Sequence, residues 1–303
     1  MIGPPLIRAL DQADLRNKAL EILSDIKYYD AIDPLIVMAQ ADESAVFIPV
    51  IAALGKICDP DDSDIPRMLK LYSASHPGVH RENIERAIVV IGEKIPDPAT
   101  RADMVLHHLR TENGEILKTT LVTMLPLLGK LGNQQVADLL FPYLTSDQPD
   151  IQQSAIRALC NWPNAEYKDI LWDIATKNPS PLYAQWGLRA YIRVVTLKSD
   201  RPEAETLGML QNAMKFANDV ADKRLCLNRA ATVRTMETVE WTAGYLDDSE
   251  LAQAACETLA ELAHHRFLRE PNKERFEPIL IKVEKTTKDN QVLESVKRSR
   301  LGM

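Results

Sequence analysis

Five apolar residues, Leu23, Leu54, Ile91, Leu128 and Leu159, recur at intervals of 31, 37, 37 and 31 residues, and each closes a stretch with helical periodicity. No other feature constrains the fold as much. A unit of that length has an apolar face too large to leave in water, and only a neighbouring copy can bury it. Four residues before each anchor stands Ala19, Val50, Ala87, Met124 or Ala155, on the same helical face. Glycine follows the anchor at Gly55, Gly92 and Gly129, where a missing side chain lets the next helix come close. The segment Leu128–Leu159 is one full interior unit: a helix stop at LGKLG, an amphipathic helix, a break at SDQPD and a second helix ending in IRAL.

The spacing predicts paired helices along the whole chain. An opening half-unit covers Leu6–Ile26. The pairs that follow are Ala31–Ala41 with Glu43–Ile57, Ser63–Ser75 with Val79–Ile95, Ala99–Thr111 with Glu115–Leu131, and Gln134–Leu144 with Asp150–Asn161. Beyond Leu159 the repeat is less regular: Ala165–Thr176 with Leu182–Leu197, then Glu203–Phe216 with Asp219–Val233. It sharpens again in Val239–Leu246 with Glu250–Phe267 and ends in a charged pair, Lys273–Lys285 with Gln291–Arg300, suited to a cap that meets water. Helix starts are expected after Asp30, Asp62-Ser63-Asp64, Ser146-Asp147 and Ser249. Pro34 and Pro66 fall in first turns, whereas Pro49, Pro126, Pro142 and Pro278 fall inside helices and should bend them.

Two-helix units of this length, with a second helix of the form D-x-V-R-x-x-A-x-x-A-L-G, resemble the HEAT-repeat (armadillo-like α-solenoid) family. The best matches are LRNKALEIL (Leu15, Arg16, Ala19, Leu23), DIQQSAIRAL (Asp150, Ile151, Ala155, Leu159) and LAQAACETLAEL. The resemblance is strongest over 13–162 and 234–263. It departs from the pattern where Phe47, Gln152 and Ala252 replace the arginine, and over 197–233. It implies an all-α fold, a right-handed α-α superhelix of about eight to nine helical hairpins. The chain reads as a single solenoid over 1–303, with regular repeats in 1–162, irregular ones in 163–234, and terminal repeats and cap in 235–303.

Composition narrows the function by exclusion. With 36 Lys and Arg against 43 Asp and Glu, the net charge of −7 argues against a general nucleic-acid binder. The four cysteines, Cys58, Cys160, Cys226 and Cys256, lack C-x-x-C spacing and read as buried reduced thiols. No G-x-S-x-G, P-loop, GxGxxG or H-E-x-x-H occurs, and the adjacent pairs His107-His108 and His264-His265 point about 100° apart on a helix, so neither chelates as a unit. Glu261-x-x-His264 has the spacing of a bundle metal motif but occurs once. No catalytic, cofactor-binding or metal residue is therefore assigned, and the chain is read as no enzyme. Neither a signal peptide nor an apolar run long enough for a bilayer is visible, which predicts a cytoplasmic location unless the chain is a domain of a longer secreted protein.

The resemblance implies that second helices line a concave face. In the C-terminal half those helices carry Arg157, Arg189, Arg193, Lys198, Lys223, Arg224, Arg229 and Arg234, while the first helices are acidic at Glu203, Glu205, Glu237, Glu240, Asp247 and Asp248. Tyr183 and Trp186 lie three apart on the helix of Arg189 and Arg193, the composition of an interface hot spot. Trp172 is expected in the core. The partner-binding set is thus Arg157, Tyr183, Trp186, Arg189, Arg193, Arg224 and Arg229. The expected ligand is a protein or peptide, another domain of the same polypeptide included. The alternative is nucleic acid, as in the HEAT-like DNA repair glycosylases, which grip DNA in a cationic, Trp-bearing groove.

Overall fold

The computed structural model describes residues 2–41, 44–111, 116 and 118–302, the side chains of 44 and 45 excepted. The described residues are helical and contain no strand. They form two compact units, Met1–Pro163 and Asn164–Met303, divided next to the point where the regular spacing ends.

The first unit contains α1 (Gly3–Ala9), α2 (Arg16–Asp25), α3 (Ile32–Gln40), α4 (Ser44–Ile57), α5 (Asp64–Ala74), α6 (Val79–Gly92), α7 (Asp103–Leu109), α8 (Lys118–Leu131), α9 (Gln134–Leu140) and α10 (Pro149–Cys160). The second contains α11 (Lys168–Lys177), α12 (Pro181–Val195), α13 (Glu203–Phe216), α14 (Val220–Ala230), α15 (Met236–Ala243), α16 (Ala252–His264), α17 (Arg266–Arg269), α18 (Lys273–Thr286) and α19 (Asn290–Arg300). The helix starts expected at Glu43 and Glu115 lie outside the described residues. Asn133 Oδ1 starts α9 by accepting from Val136 N at 2.9 Å, and Asp289 starts α19 by accepting from Gln291 N at 2.7 Å.

In each unit the second helices pack on one another, α2, α4, α6, α8 and α10 in the first and α12, α14, α16 and α19 in the second. The anchors Leu23, Leu54, Ile91, Leu128 and Leu159 are all fully buried along the first of these layers. The glycines beside them act as the spacing suggests. A Cβ on Gly55 would lie 3.1 Å from Ala87 Cα, and one on Gly129 only 2.2 Å from the Ala158 carbonyl oxygen, so bare backbone meets backbone between second helices. Long polar side chains also join first helices. Arg67 reaches Asp33 at 3.1 Å between α5 and α3, and Arg275 reaches Glu240 at 2.6 Å between α18 and α15.

Several local expectations are corrected. Pro142 does not bend a helix: α9 stops at Leu140, and Phe141–Tyr143 is a 3-10 turn, a geometry that tolerates the missing N–H. Pro49, Pro126 and Pro278 do sit inside α4, α8 and α18. The capping oxygens of α5 and α16 belong to Asp61 and Asp248, which accept from Asp64 N at 2.9 Å and Leu251 N at 3.0 Å; Ser63 and Ser249 do not take that role. The helix expected over Ala99–Thr111 is cut to Asp103–Leu109 because Pro98–Thr100 forms its own 3-10 turn. Cys58, Cys226 and Cys256 are buried free thiols, but Cys160 is only half-buried.

Candidate functional site

The expected partner-binding residues fall in both units: Arg157 on α10 of the first, the others on α12 and α14 of the second.

Arg157 is exposed at the rim of a cleft of about 250 Å³ opening between α6, α8 and α10. Gln153 and Ser154 lie beside it on α10, Val122, Thr123 and Pro126 come from α8, and Arg81, Glu82 and Glu85 from α6. Pro126 has no N–H to offer the Val122 carbonyl one turn back, so the helix leaves that acceptor available on a cleft-lining residue.

Beneath the rim lies a network invisible in the sequence pattern. Glu85 is 2% exposed and makes an ion pair with Lys130 of α8. The Tyr72 hydroxyl, from α5, stands 2.9 Å from Glu85 Oε1 and 3.0 Å from the Thr123 carbonyl oxygen. A hydroxyl has one proton, and the charged carboxylate is the stronger acceptor for it. Burial, and next the Glu85 charge, push the Tyr72 phenol far above its ordinary range. Arg81 lies 5.4 Å over the Tyr72 ring and donates to the Ser75 carbonyl. Three helices are thereby locked at the cleft floor. The available sequence signal was a glutamate on the buried stripe of α6, one turn before Ile88.

In the second unit, Tyr183 and Trp186 are both half-buried with ring centroids 5.7 Å apart. Arg193 is half-buried further along the same helix, and Arg229 is half-buried on α14. Two expected cations are already committed within the unit. Arg189 Nε pairs with Asp222, whose carboxylate is buried, and its Nη2 lies 3.9 Å from Asp219. Gln185 joins the pair, 3.1 Å from Asp222 Oδ2. Arg224 donates from Nε at 3.0 Å and Nη2 at 2.9 Å to the Glu250 carbonyl. Arg189 and Arg224 therefore stitch α12 to α14 and α14 to the start of α16. The cationic stripe that a nucleic-acid ligand needs is partly spent on this internal pairing.

Trp172 is not the core tryptophan. It is half-buried against Tyr191 (4.8 Å) and Phe216 (5.0 Å), and the fully enclosed indole is Trp162, 1% exposed in the first unit. The histidines fall in separate places: His80 stacks on Phe47 at 4.1 Å, His108 lies 3.3 Å from Asp62, and Glu261 faces His265 at 3.5 Å, one residue beyond the expected His264. Among the described residues no group of three or more His, Cys, Asp or Glu could hold a metal ion, and no helix is long and apolar enough to cross a membrane.

No protein-family model matches the chain, and no curated protein is significantly similar to it.

Proposed function

We propose that the chain is a non-enzymatic helical-repeat scaffold of the HEAT kind, which binds a protein or peptide along the face formed by its second helices. Within the first unit the second helices meet through bare glycine backbone at Gly55 and Gly129 and form one packed layer.

The observation that carries the reading is the cleft at α6, α8 and α10. It lies on second helices, has a rigid floor in Tyr72, Glu85 and Lys130, and offers both donors (Arg157, Gln153, Ser154) and an acceptor (the Val122 carbonyl). An extended peptide needs that mixture, because every one of its residues has an N–H and a C=O to satisfy. In the second unit Trp186 and Tyr183 supply large, stiff contact area, with Arg229 as a charged neighbour for acidic side chains.

Photo-crosslinking separates the two faces. A benzophenone side chain replacing Arg157 or Trp186 is expected to capture the partner; one replacing Val37, 65% exposed on the first helix α3, is not. The variant Arg157→Glu/Arg229→Glu should bind at least tenfold more weakly with an unchanged fold. Capture from Val37 alone, or full binding by the double variant, refutes the reading. Arg189 is unsuited to this test, because its loss strands the buried Asp222 carboxylate.

A further inference from the structure

A cavity of about 710 Å³ in the second unit is lined by none of the expected partner-binding residues. It opens where the end of α13 turns into α14, against the last turns of α15. Its size is within the range of small-molecule sites. We propose that it binds a small aromatic phosphate, a flat ring bearing a phosphate group. This does not depend on the peptide-binding reading.

Charge identifies the anion. Lys215, in the last turn of α13, and Lys223, in the first turn of α14, both line the cavity. Among the described residues neither has a hydrogen-bond acceptor or an ion-pair partner, in a chain whose carboxylates outnumber its cations. The lining carboxylate, Asp248, turns its Oδ1 to the backbone, accepting from Glu250 N at 2.9 Å and Leu251 N at 3.0 Å, and makes no ion pair with either lysine. With Asp248 counted, the lining keeps one net positive charge, and a phosphate, with its three acceptor oxygens, can accept from both ammonium groups at once.

Aromatic side chains identify the ring. Trp241 and Tyr245 face the cavity half-buried, edge to face at 5.6 Å and 82°, so ring faces remain for a planar ligand. Gln211 and Asn218 supply amides that donate and accept at a ring edge.

Calorimetric titration of the full chain tests the proposal with four probes: adenosine monophosphate, phosphotyrosine, adenosine and inorganic phosphate. Adenosine monophosphate or phosphotyrosine is expected to bind at least tenfold more tightly than adenosine and than inorganic phosphate. The tighter of the two phosphates shows whether the ring bears its phosphate directly or through a sugar. Lys215→Met/Lys223→Met should lose binding at least tenfold while keeping the thermal midpoint of the unaltered chain. No binding of either aromatic phosphate at millimolar concentration overturns the proposal. So does inorganic phosphate binding equally well, or undiminished binding by the double methionine variant.

Discussion

Replacing Gly129 with alanine tests the packing on which the whole stack depends. The new Cβ would lie 2.2 Å from the Ala158 carbonyl oxygen and 2.6 Å from the Ala158 Cα, and both atoms are backbone that cannot swing aside. Ordinary contact begins near 3.4 Å, so α8 and α10 must part by roughly 1 Å. Overpacking of this kind costs about 1–3 kcal/mol, and a backbone obstacle puts it at the upper end. Alanine returns up to about 1 kcal/mol of helix propensity, leaving a net loss of about 2 kcal/mol. For a unit of this size that lowers the melting temperature by about 4–8 °C. Two related variants calibrate the sign. At Gly55 the obstacle begins at 3.1 Å, so a shift of a few tenths of an ångström suffices and the two effects roughly cancel. At Gly208, inside α13, nothing lies within 4 Å, and alanine should stabilise by about 0.5–1 kcal/mol. Calorimetric melting of the three variants, each compared with the parent transition of its own unit, reads the order. A Gly129→Ala protein as stable as its parent would refute the reasoning, because the two second helices could not then meet at that glycine.

Lys130→Met should be costly, about 3–5 kcal/mol in a denaturant titration, because it leaves Glu85 charged and buried with only Tyr72 as a donor. Glu85→Gln should cost less, since the amide still accepts from Tyr72 and the partly exposed Lys130 can turn to water; equal losses would mean that the two residues do not act as a pair. Burial pushes the Cys58 and Cys226 thiols up to about 12 and Cys256 up to about 11, so a thiol reagent at neutral pH should label Cys160 alone until the chain is unfolded. Peptide mapping after labelling decides this, and early modification of Cys226 would count against its burial. His265 is held below its ordinary value of 6.5, first by burial and then by the Arg234 charge. The unfolded chain therefore binds that proton more readily, and stability should fall as pH drops below about 6.5, levelling off once the folded state is also protonated. His265→Gln should flatten that part of a melting-temperature profile measured from pH 5 to 8.

The difference between what the sequence disclosed and what it concealed follows from the range of the interactions involved. Helix positions were legible because periodicity, caps and glycines act within a turn or between adjacent repeats: α13 spans Glu203–Phe216 as the pattern predicts, and Gly129 meets the helix of the next anchor. The site was less legible because the availability of a charge depends on a partner that periodicity does not name. Arg189 looks like an available cation on a helical wheel, yet it is bound to Asp222, 33 residues away on the next second helix. Glu85 becomes a buried floor only because Tyr72, 13 residues before it, and Lys130, 45 after it, converge there. In a stacked-repeat chain the apolar anchor recurs by necessity, since every unit must bury the same face. Polar residues between the anchors are free to differ from unit to unit, so the sites proposed for recognition lie where they converge: at Arg157 above Glu85, and at Lys215 and Lys223 beside Trp241.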